Sequence, residues 1–240
     1  METGRIGAVV LAGGRGTRMQ SDIQKQYMAL GGRPLIVYAL ETFDSSIVDQ
    51  VVLVTGAGET KYAREEIVDR YGIRKISAVV EGGAQRYHSV YAGLCALEGC
   101  DCVLIHDGAR PLVTEAIIRR VVEEARNCGA CVVGMPVKDT IKVSGRDGFA
   151  AGTPDRSSLW QIQTPQAFSY PLVRQAYDWI MEDESRQAGI TDDAMVVEHC
   201  TGHPIKLIEG SYENMKVTTP EDLVIAEALL ARRRCDRGLQ

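Results

Sequence analysis

The chain has 240 residues, of which 45 % are hydrophobic and 25 % charged, and its formal net charge is −5. This balance is typical of a globular protein with one large core, and it argues against broad binding to nucleic acid or to anionic membranes. No apolar run approaches the roughly 18 residues of a membrane span. Residues 1–7 are too short and polar for a signal peptide, so we expect a cytoplasmic protein with a single domain over 1–240.

Strand-like apolar runs alternate with helix-like stretches through the first 136 residues. The predicted strands are 6–11, 51–54, 76–80, 102–106 and 131–135, and the predicted helices are 35–43, 61–71, 89–97 and 115–127. Because strands that alternate with helices at this spacing pair in parallel, the pattern predicts an α/β fold with a doubly wound, mostly parallel sheet. Thr114 precedes the fourth helix and carries the hydroxyl of a good N-cap.

The alternation ends after Pro136. Residues 138–160 contain short alternating segments and an Asp147-Gly148 turn signal, which predict a β-hairpin arm that leaves the main sheet. An arm with little core of its own must pack on something, so we expect a homodimer formed through it, with a mobile surface hairpin as the alternative. Beyond the arm we predict helices at 171–181, 192–199 and 220–233 and a strand at 205–209.

The first predicted strand leads directly into a glycine-rich loop, residues 12–19, which is followed by Lys25. Glycines allow backbone N–H groups to approach a polyphosphate, and the cations Arg15, Arg18 and Lys25 would oppose its charge. The loop lacks the Gly-x4-Gly-Lys-Ser/Thr of a P-loop, and Met19 stands where a dinucleotide-binding fingerprint has its third glycine. We therefore predict a triphosphate-binding loop of the nucleotidyltransferase kind, with a glycine-rich turn and solvated arginines as the alternative.

Four further polar clusters follow predicted strands or lie in loops. They are residues 81–86 with Ser89, residues 106–111, Arg156 with residues 164–166, and the segments 191–193 and 214–220. Glycines in the first cluster would let the backbone approach a base or a sugar, and Ser89 offers a hydroxyl. Asp107, in the second cluster, is a carboxylate that can hold Mg²⁺ or orient a substrate hydroxyl.

Each cluster also has a plain structural interpretation. Asp107 could form an ion pair with Arg110, and Thr191 with Asp192 could be a helix N-cap. Lys216 could be a surface lysine, and Arg156 could pair with Asp155 or a nearby acid. His106 ends an apolar run, a position that favours a structural imidazole over a catalytic base.

The seven cysteines are expected to be reduced thiols, because no export signal precedes them. Cys100-x-Cys102 and Cys128-x2-Cys131 have spacings that could serve a zinc ion. Cys102 and Cys131, however, continue into apolar runs, where a free cysteine behaves as a small hydrophobe. Buried thiols are therefore the favoured interpretation, and a zinc site is the alternative.

Taken together, these segments resemble the 2-C-methyl-D-erythritol 4-phosphate cytidylyltransferases of the non-mevalonate isoprenoid pathway. The resemblance extends from about residue 6 to 230. In family order, the matching segments are Ala12-Gly13-Gly14-x-Gly16-x-Arg18-Met19, Lys25-Gln26-Tyr27, Gly82-Gly83-x-x-Arg86-x-x-Ser89-Val90, His106-Asp107-x-Ala109-Arg110-Pro111, Asp139-Thr140, Arg156-x-x-Leu159-Trp160, Gln163-Thr164-Pro165-Gln166, Thr191-Asp192-Asp193 and Asn214-x-Lys216-Val217-Thr218.

The resemblance implies a Rossmann-like nucleotidyltransferase fold, a Mg²⁺ cofactor, a homodimer, and transfer of CMP from CTP to a sugar-alcohol phosphate. It implies that Arg18, Lys25 and Lys216 act on the α-phosphate, and that CTP is bound by Ala12, Gly13, Gly14, Gly16, Gly83 and Ser89. It implies that the second substrate is bound by Asp107, Arg110, Thr140, Arg156, Thr164 and Thr191, with Asp107 also near the metal. Thr140 and Arg156 would act across the subunit interface.

The sequence departs from the family pattern at two positions. Gln24 stands where Pro commonly precedes Lys-Gln-Tyr, which would loosen the loop that presents Lys25. Gly108 replaces the usual Ala and would add backbone freedom beside Asp107.

Three alternative functions compete with this interpretation. The related ribitol-5-phosphate cytidylyltransferases share most of the motifs, but Ala109 and Trp160 favour the erythritol enzyme. An NAD-dependent oxidoreductase is disfavoured by Met19 and by the second strand, which ends without an acidic residue. A non-catalytic CTP-binding module would follow if Gln24 disabled the first loop.

Overall fold

The computed structural model describes residues 4–14, 19 and 24–238. Its strands are β1 (Ile6–Ala12), β2 (Ala29–Leu30), β3 (Arg33–Pro34), β4 (Gln50–Thr55), β5 (Ile76–Glu81), β6 (Cys102–Asp107), β7 (Ala130–Pro136), β8 (Val143–Ser144), β9 (Ala150–Gly152), β10 (Trp160–Ser169) and β11 (Lys206–Glu209). Its helices are α1 (Leu35–Ser45), α2 (Thr60–Tyr62, continued as a π-helix over Ala63–Asp69), α3 (Arg86–Cys95), α4 (Glu115–Cys128), α5 (Tyr170–Met181), α6 (Asp193–Thr201) and α7 (Pro220–Gly238). Short 3₁₀ turns cover Lys25–Tyr27, Arg156–Ser158 and Glu184–Gln187.

The central sheet has seven strands in the order β11-β7-β10-β6-β1-β4-β5. β6, β1, β4 and β5 pair in parallel, and β11 pairs in parallel with β7. This arrangement confirms the predicted mostly parallel, doubly wound sheet. The predicted strands and helices are all present, and most bounds differ from the prediction by one to three residues.

β10 is the strand of the central sheet that the sequence analysis missed, and the short β2–β3 hairpin was not predicted either. β10 lies between β6 and β7 and is antiparallel to both, with an irregularity in its pairing to β7 between Ile162 and Gln166. Glutamines, a threonine and Pro165 interrupt its apolar pattern, and a proline normally argues against a central strand. Its register places residues 163–166 beside the carboxyl end of β6.

Apolar side chains cover both faces of the sheet, as a parallel sheet requires. β1 illustrates the alternation, because Ala8 and Val10 face the layer that contains α1 and α4, while Val9 faces α3, α5 and α6. A smaller cluster formed by Leu30, Leu35, Val217 and other apolar residues docks α7 against the β2–β3 hairpin. The two layers leave the carboxyl ends of the parallel strands for polar residues.

Local capping explains where α4 begins and ends. The Thr114 side chain accepts a hydrogen bond from the N–H of Ile117 at 3.3 Å, which confirms the predicted N-cap. Gly129 follows the last turn with a φ of 83°, a conformation that favours glycine.

The predicted β-arm is present as the antiparallel pair of β8 and β9. Its apolar side chains face solvent in this single chain, and Phe149 at the turn is 76 % exposed. The role of the arm in a dimer and the assignment of the whole chain to one domain stay predictions.

The two cysteines that continue into apolar runs, Cys102 and Cys131, lie in different strands. Cys102 in β6 and Cys131 in β7 are buried, and β10 lies between the two strands. Burial raises the pKa of each thiol to about 12. The described residues contain no group of three or more His, Cys, Asp or Glu side chains that could hold a metal ion. Nor does any helix in the described part of the chain have the length and apolarity needed to cross a membrane.

Candidate functional site

Two glycine loops, one after β1 and one after β5, meet at the end of β4. The N–H of Gly82 donates to the Thr55 carbonyl at 2.8 Å, and a Cβ added to Gly13 would lie 3.2 Å from the same oxygen. Any side chain at Gly13 would therefore press on the backbone of β4. Both loops keep their backbone close together because these positions are glycine.

The 3₁₀ turn that carries Lys25 is held against the end of β1. The buried side-chain amide of Gln26 donates to the Ala12 carbonyl and to the Gln24 side chain. A Cβ added to Gly14 would lie 3.8 Å from Cε of Lys25. The structure therefore brings Ala12, Gly13, Gly14 and Lys25 together, while Gly16 and Arg18 lie outside the described residues.

Gly83 and Ser89 form a second contact at the loop after β5. The N–H of Gly83 donates to Oγ of Ser89 at 3.2 Å, and this hydroxyl donates to the Gln85 carbonyl at 3.3 Å. Ser89 lies in the first turn of α3 and is 8 % exposed, so its hydroxyl faces the loop after β5.

Asp107 is the centre of a charged cluster at the end of β6. Nζ of Lys216 lies 2.8 Å from one of its carboxylate oxygens, and Nε of Arg86 lies 3.3 Å from the other. Burial opposes ionisation of Asp107, but the cations Arg86 and Lys216 outweigh it and hold the pKa of this carboxyl well below its usual range. Asp107 is therefore a carboxylate near neutral pH.

His106, Thr164 and Asp107 are linked by a chain of hydrogen bonds. Nε2 of His106 lies 3.3 Å from the Arg110 carbonyl, which can only accept, so Nε2 carries the proton. Nδ1 of His106 then accepts from the Thr164 hydroxyl at 3.1 Å, and this hydroxyl accepts from the N–H of Asp107 at 3.0 Å. Burial lowers the pKa of His106 to about 4. Its full burial and its two hydrogen bonds agree with the predicted structural role of His106.

Arg110 holds the segment that carries Lys216 and forms no ion pair with Asp107 among the described residues. Its Nη1 donates to the Asn214 carbonyl at 2.9 Å, and burial lowers its pKa. The Asn214 amide donates in turn to the Thr164 carbonyl at 2.9 Å. Lys216 is partly exposed, but its ammonium bonds to Asp107, so it is not a purely solvated surface lysine.

Gly108 brings the loop after β6 close to β1. Its N–H donates to the Leu11 carbonyl at 2.9 Å, and an added Cβ would lie 2.8 Å from that oxygen. Glycine at this position therefore serves a close backbone approach, where the sequence analysis expected added freedom.

The remaining predicted residues lie outside the Asp107 cluster. Thr191 is exposed, and Asp192 caps α6 by accepting from the N–H of Met195 at 3.0 Å. Arg156 is exposed on the arm and donates to the Lys138 carbonyl at 2.9 Å, and Asp155 accepts from Ser157. Thr140 is also exposed on the arm. In the described part of the chain, none of the three predicted substrate residues Thr140, Arg156 and Thr191 forms a hydrogen bond or ion pair with the Asp107 cluster.

The sequence analysis named Arg86 only as part of a motif and missed its partner. Both Nη atoms of Arg86 bond to the carboxylate of Asp193, at 2.7 and 2.8 Å. The Gly-Gly-x-x-Arg segment was the available signal for Arg86, whereas nothing local distinguished Asp193 from the capping residue Asp192.

Glycine loops and a carboxylate–lysine pair at the carboxyl ends of parallel strands are typical of nucleotide-binding α/β enzymes. Together with this sheet they indicate the nucleotidyltransferase class with a Rossmann-like fold. The model of the family 2-C-methyl-D-erythritol 4-phosphate cytidylyltransferase matches residues 6–232. The chain belongs to this family.

Curated relatives agree over nearly their whole length. The 2-C-methyl-D-erythritol 4-phosphate cytidylyltransferase of Lachnoclostridium phytofermentans is 48 % identical over 94 % of this chain and 96 % of the relative. That of Alkaliphilus oremlandii is 44 % identical over 96 % and 97 %. These relatives favour the erythritol enzyme over the ribitol enzyme, the oxidoreductase and the non-catalytic module.

Solved structures share the fold. The 4-diphosphocytidyl-2C-methyl-D-erythritol synthase of Anaerococcus prevotii superposes with a TM-score of 0.82, covering 95 % of this chain and 96 % of that chain at 30 % identity. The 2-C-methyl-D-erythritol 4-phosphate cytidylyltransferase of Thermus thermophilus gives a TM-score of 0.75, covering 94 % and 98 % at 30 % identity.

Proposed function

We propose that the chain performs its reaction, the transfer of CMP from CTP to 2-C-methyl-D-erythritol 4-phosphate, by direct in-line attack. An oxygen of the substrate phosphate forms a bond to the α-phosphorus of CTP, and the bond from that phosphorus to the bridging oxygen breaks as pyrophosphate leaves. The attacking phosphate is already an anion near neutral pH, so the step needs positioning and cations more than a strong base. The observation that carries the proposal is the placement of Lys25 and of the Asp107–Lys216 pair after neighbouring strands, β1 and β6.

CTP occupies the two glycine loops that meet at Thr55. Ala12, Gly13 and Gly14 would present backbone to the phosphates, and Gly83 with Ser89 would contact the cytidine. Gly16 and Arg18, outside the described residues, complete the phosphate loop in this proposal. The 3.2 Å distance from an added Gly13 Cβ to the Thr55 carbonyl supports it, because a glycine is needed for this loop to lie against the end of β4, where the loop after β5 also lies.

Three cations, Arg18, Lys25 and Lys216, would stabilise the charge that develops at the α-phosphate and on the leaving pyrophosphate. Lys216 is 36 % exposed at its side chain and bonds to Asp107 through one of its three donors. Asp107 is the one hydrogen-bond partner of this ammonium among the described residues, which leaves two donors for a phosphate oxygen, and Asp107 keeps the ammonium in place between turnovers.

The second substrate, 2-C-methyl-D-erythritol 4-phosphate, would bind on the side of the Asp107–Lys216 pair opposite to CTP. Asp107 would accept from the erythritol hydroxyls, with Thr164 beneath it and Thr191 at the rim. Arg110 contributes by holding Asn214, and any direct contact of its own with substrate stays a prediction. Arg156 and Thr140 would bind the substrate phosphate from a second subunit, since in one chain both are exposed on the arm. The exposed Phe149 on the same arm supports a homodimer.

Magnesium would be held mainly by the nucleotide phosphates. Both oxygens of Asp107 bond to cations, so this carboxylate could contribute at most its spare lone pairs to an ion that the triphosphate already binds. When bound, the ion would neutralise phosphate charge. A cytoplasmic location stays a prediction.

Pyrophosphate release tests the proposal. The protein would be assayed with CTP and Mg²⁺ and with 2-C-methyl-D-erythritol 4-phosphate, with ribitol 5-phosphate, or with no acceptor. We expect release with the erythritol substrate alone and none after chelation of the metal. Release of pyrophosphate with ribitol 5-phosphate alone would show that ribitol 5-phosphate is the acceptor. Binding of CTP without release of pyrophosphate would show a non-catalytic module.

A further inference from the structure

A buried acid on α6 binds the arginine that contacts Asp107. Asp193 has no exposed surface, and its two carboxylate oxygens accept from Nη1 and Nη2 of Arg86 at 2.7 and 2.8 Å. The hydroxyl of Tyr177, also fully buried, donates to the same carboxylate at 2.5 Å. Three helices, α3, α5 and α6, therefore converge on one ion pair behind the site.

This arrangement determines the orientation of the Arg86 guanidinium. A paired contact of both Nη atoms with one carboxylate fixes the plane of the group as well as its position. Nε is then left on the edge that faces Asp107, 3.3 Å from its carboxylate oxygen. The direction from which Arg86 approaches Asp107 is thus decided by Asp193.

Most of the donors of Arg86 are engaged with carboxylates in this geometry. Burial lowers the pKa of Arg86, but the attraction of Asp193 and Asp107 outweighs this effect and raises it well above the usual value, so the guanidinium stays charged. Its paired edge is occupied by Asp193, so three of its five N–H donors bond to Asp193 and Asp107. An arginine in a glycine-rich segment would ordinarily be assigned to phosphate, and the contacts argue against that here.

We propose that Asp193 and Tyr177 are positioning residues for the second substrate, which they affect by orienting Asp107 through Arg86. The proposal rests on the function above, in which Asp107 binds the erythritol hydroxyls. Tyr177 is fully buried and contributes by holding the Asp193 carboxylate. Its effect on the second substrate should therefore require Arg86.

Two variants test the proposal in the full-length protein. Tyr177→Phe removes one hydroxyl and keeps the ring, and Asp193→Asn keeps the shape and removes the charge. For each we expect the KM for 2-C-methyl-D-erythritol 4-phosphate to rise by about 10-fold to 100-fold, while the KM for CTP changes by less than about 2-fold. Asp178→Asn is the matched control, because Asp178 lies next to Tyr177 on α5 and pairs with Arg174 instead.

A double-mutant cycle separates positioning from loss of folding. If Asp193 acts through Arg86, Asp193→Asn has no further effect on the KM for the erythritol substrate in an Arg86→Gln background. Equal rises in both KM values, or an effect that persists without Arg86, would overturn the proposal. If Asp193→Asn fails to fold, the Tyr177→Phe result alone decides. An inactive wild-type protein would refute the proposed function, whereas an active one with unchanged variants would refute only the positioning role.

Discussion

Nζ of Lys216 lies 2.8 Å from Oδ2 of Asp107, although 109 positions separate the two residues in the chain. Asp107 ends β6, and Lys216 precedes α7. The Arg110–Asn214 bond and the bond from the Val217 N–H to the Ala109 carbonyl hold the second segment against the first. A carboxylate beside a lysine can both hold substrate hydroxyls and keep the cation aimed at a phosphate.

Lys216→Ala should reduce kcat by roughly 10²–10³, the scale of losing one group that stabilises developing charge. The KM for CTP should change little, since several glycine-loop contacts stay in place. Steady-state kinetics would check this, with Lys206→Ala as the control, because Lys206 is an exposed lysine on β11. A drop in CTP affinity as large as the drop in turnover would contradict the role.

Arg156→Ala should lower kcat/KM for the erythritol substrate by about 10-fold to 100-fold, the range for one lost charged hydrogen bond, and leave CTP affinity nearly intact. Arg146→Ala, on the same hairpin, is the control. Mixing Arg156→Ala with Lys216→Ala subunits should restore activity, because a mixed dimer would have one site with both residues intact. Mixed samples that stay inactive would place Arg156 in its own subunit's site.

Phe149→Asp should weaken the proposed dimer. Phe149 is 76 % exposed in the single chain, and an aromatic side chain of this kind is the type of residue that dominates interfaces. We expect the dissociation constant of the dimer to rise by about 30-fold or more in analytical ultracentrifugation. Val224→Asp, at an exposed position of α7, should have no such effect. A wild-type protein that sediments as a monomer would exclude the interface.

Gln24→Pro should be tolerated and should stabilise the protein slightly. Gln24 has a φ of −62°, which is the value that a proline ring imposes. Restricting the unfolded chain in this way adds about 0.4–1 kcal/mol to the free energy of unfolding where the native backbone fits. Denaturant titration and the pyrophosphate assay would check both statements, and a loss of activity would show that the Gln24 side chain contact with Gln26 is needed.

His106 should make the protein less stable in acid. The pKa of His106 is about 4 in the folded protein and 6.5 in the unfolded chain. The contribution of the neutral imidazole to the free energy of unfolding is therefore complete above pH 6.5 and is lost as the pH falls towards 4. The loss amounts to about 3 kcal/mol for a shift of this size. Unfolding titrations at pH 7 and pH 4 should show a smaller difference for His106→Asn than for the wild type, and equal differences would contradict the assignment.

Much of the fold could be predicted from local patterns. The runs that became β1, β4 and β6 are apolar on both faces, which is what strands covered by helices on two sides require. Thr114 marked the start of α4 through a bond within one turn. β10 escaped prediction because its polar residues and Pro165 have no local reason to be extended, and only pairing with β6 and β7 explains them.

The sequence by itself determined the alternation of strands and helices, the glycine loop after β1 and the chemical types available at the site, because each depends on residues close together in the chain. The tertiary structure decided which of those groups meet. It brought Lys216 and Arg86 to Asp107, turned Arg110 towards Asn214, and buried Asp193 behind the site. These contacts join residues 21 to 109 positions apart, and their geometry depends on strand order and helix packing, which no local pattern encodes.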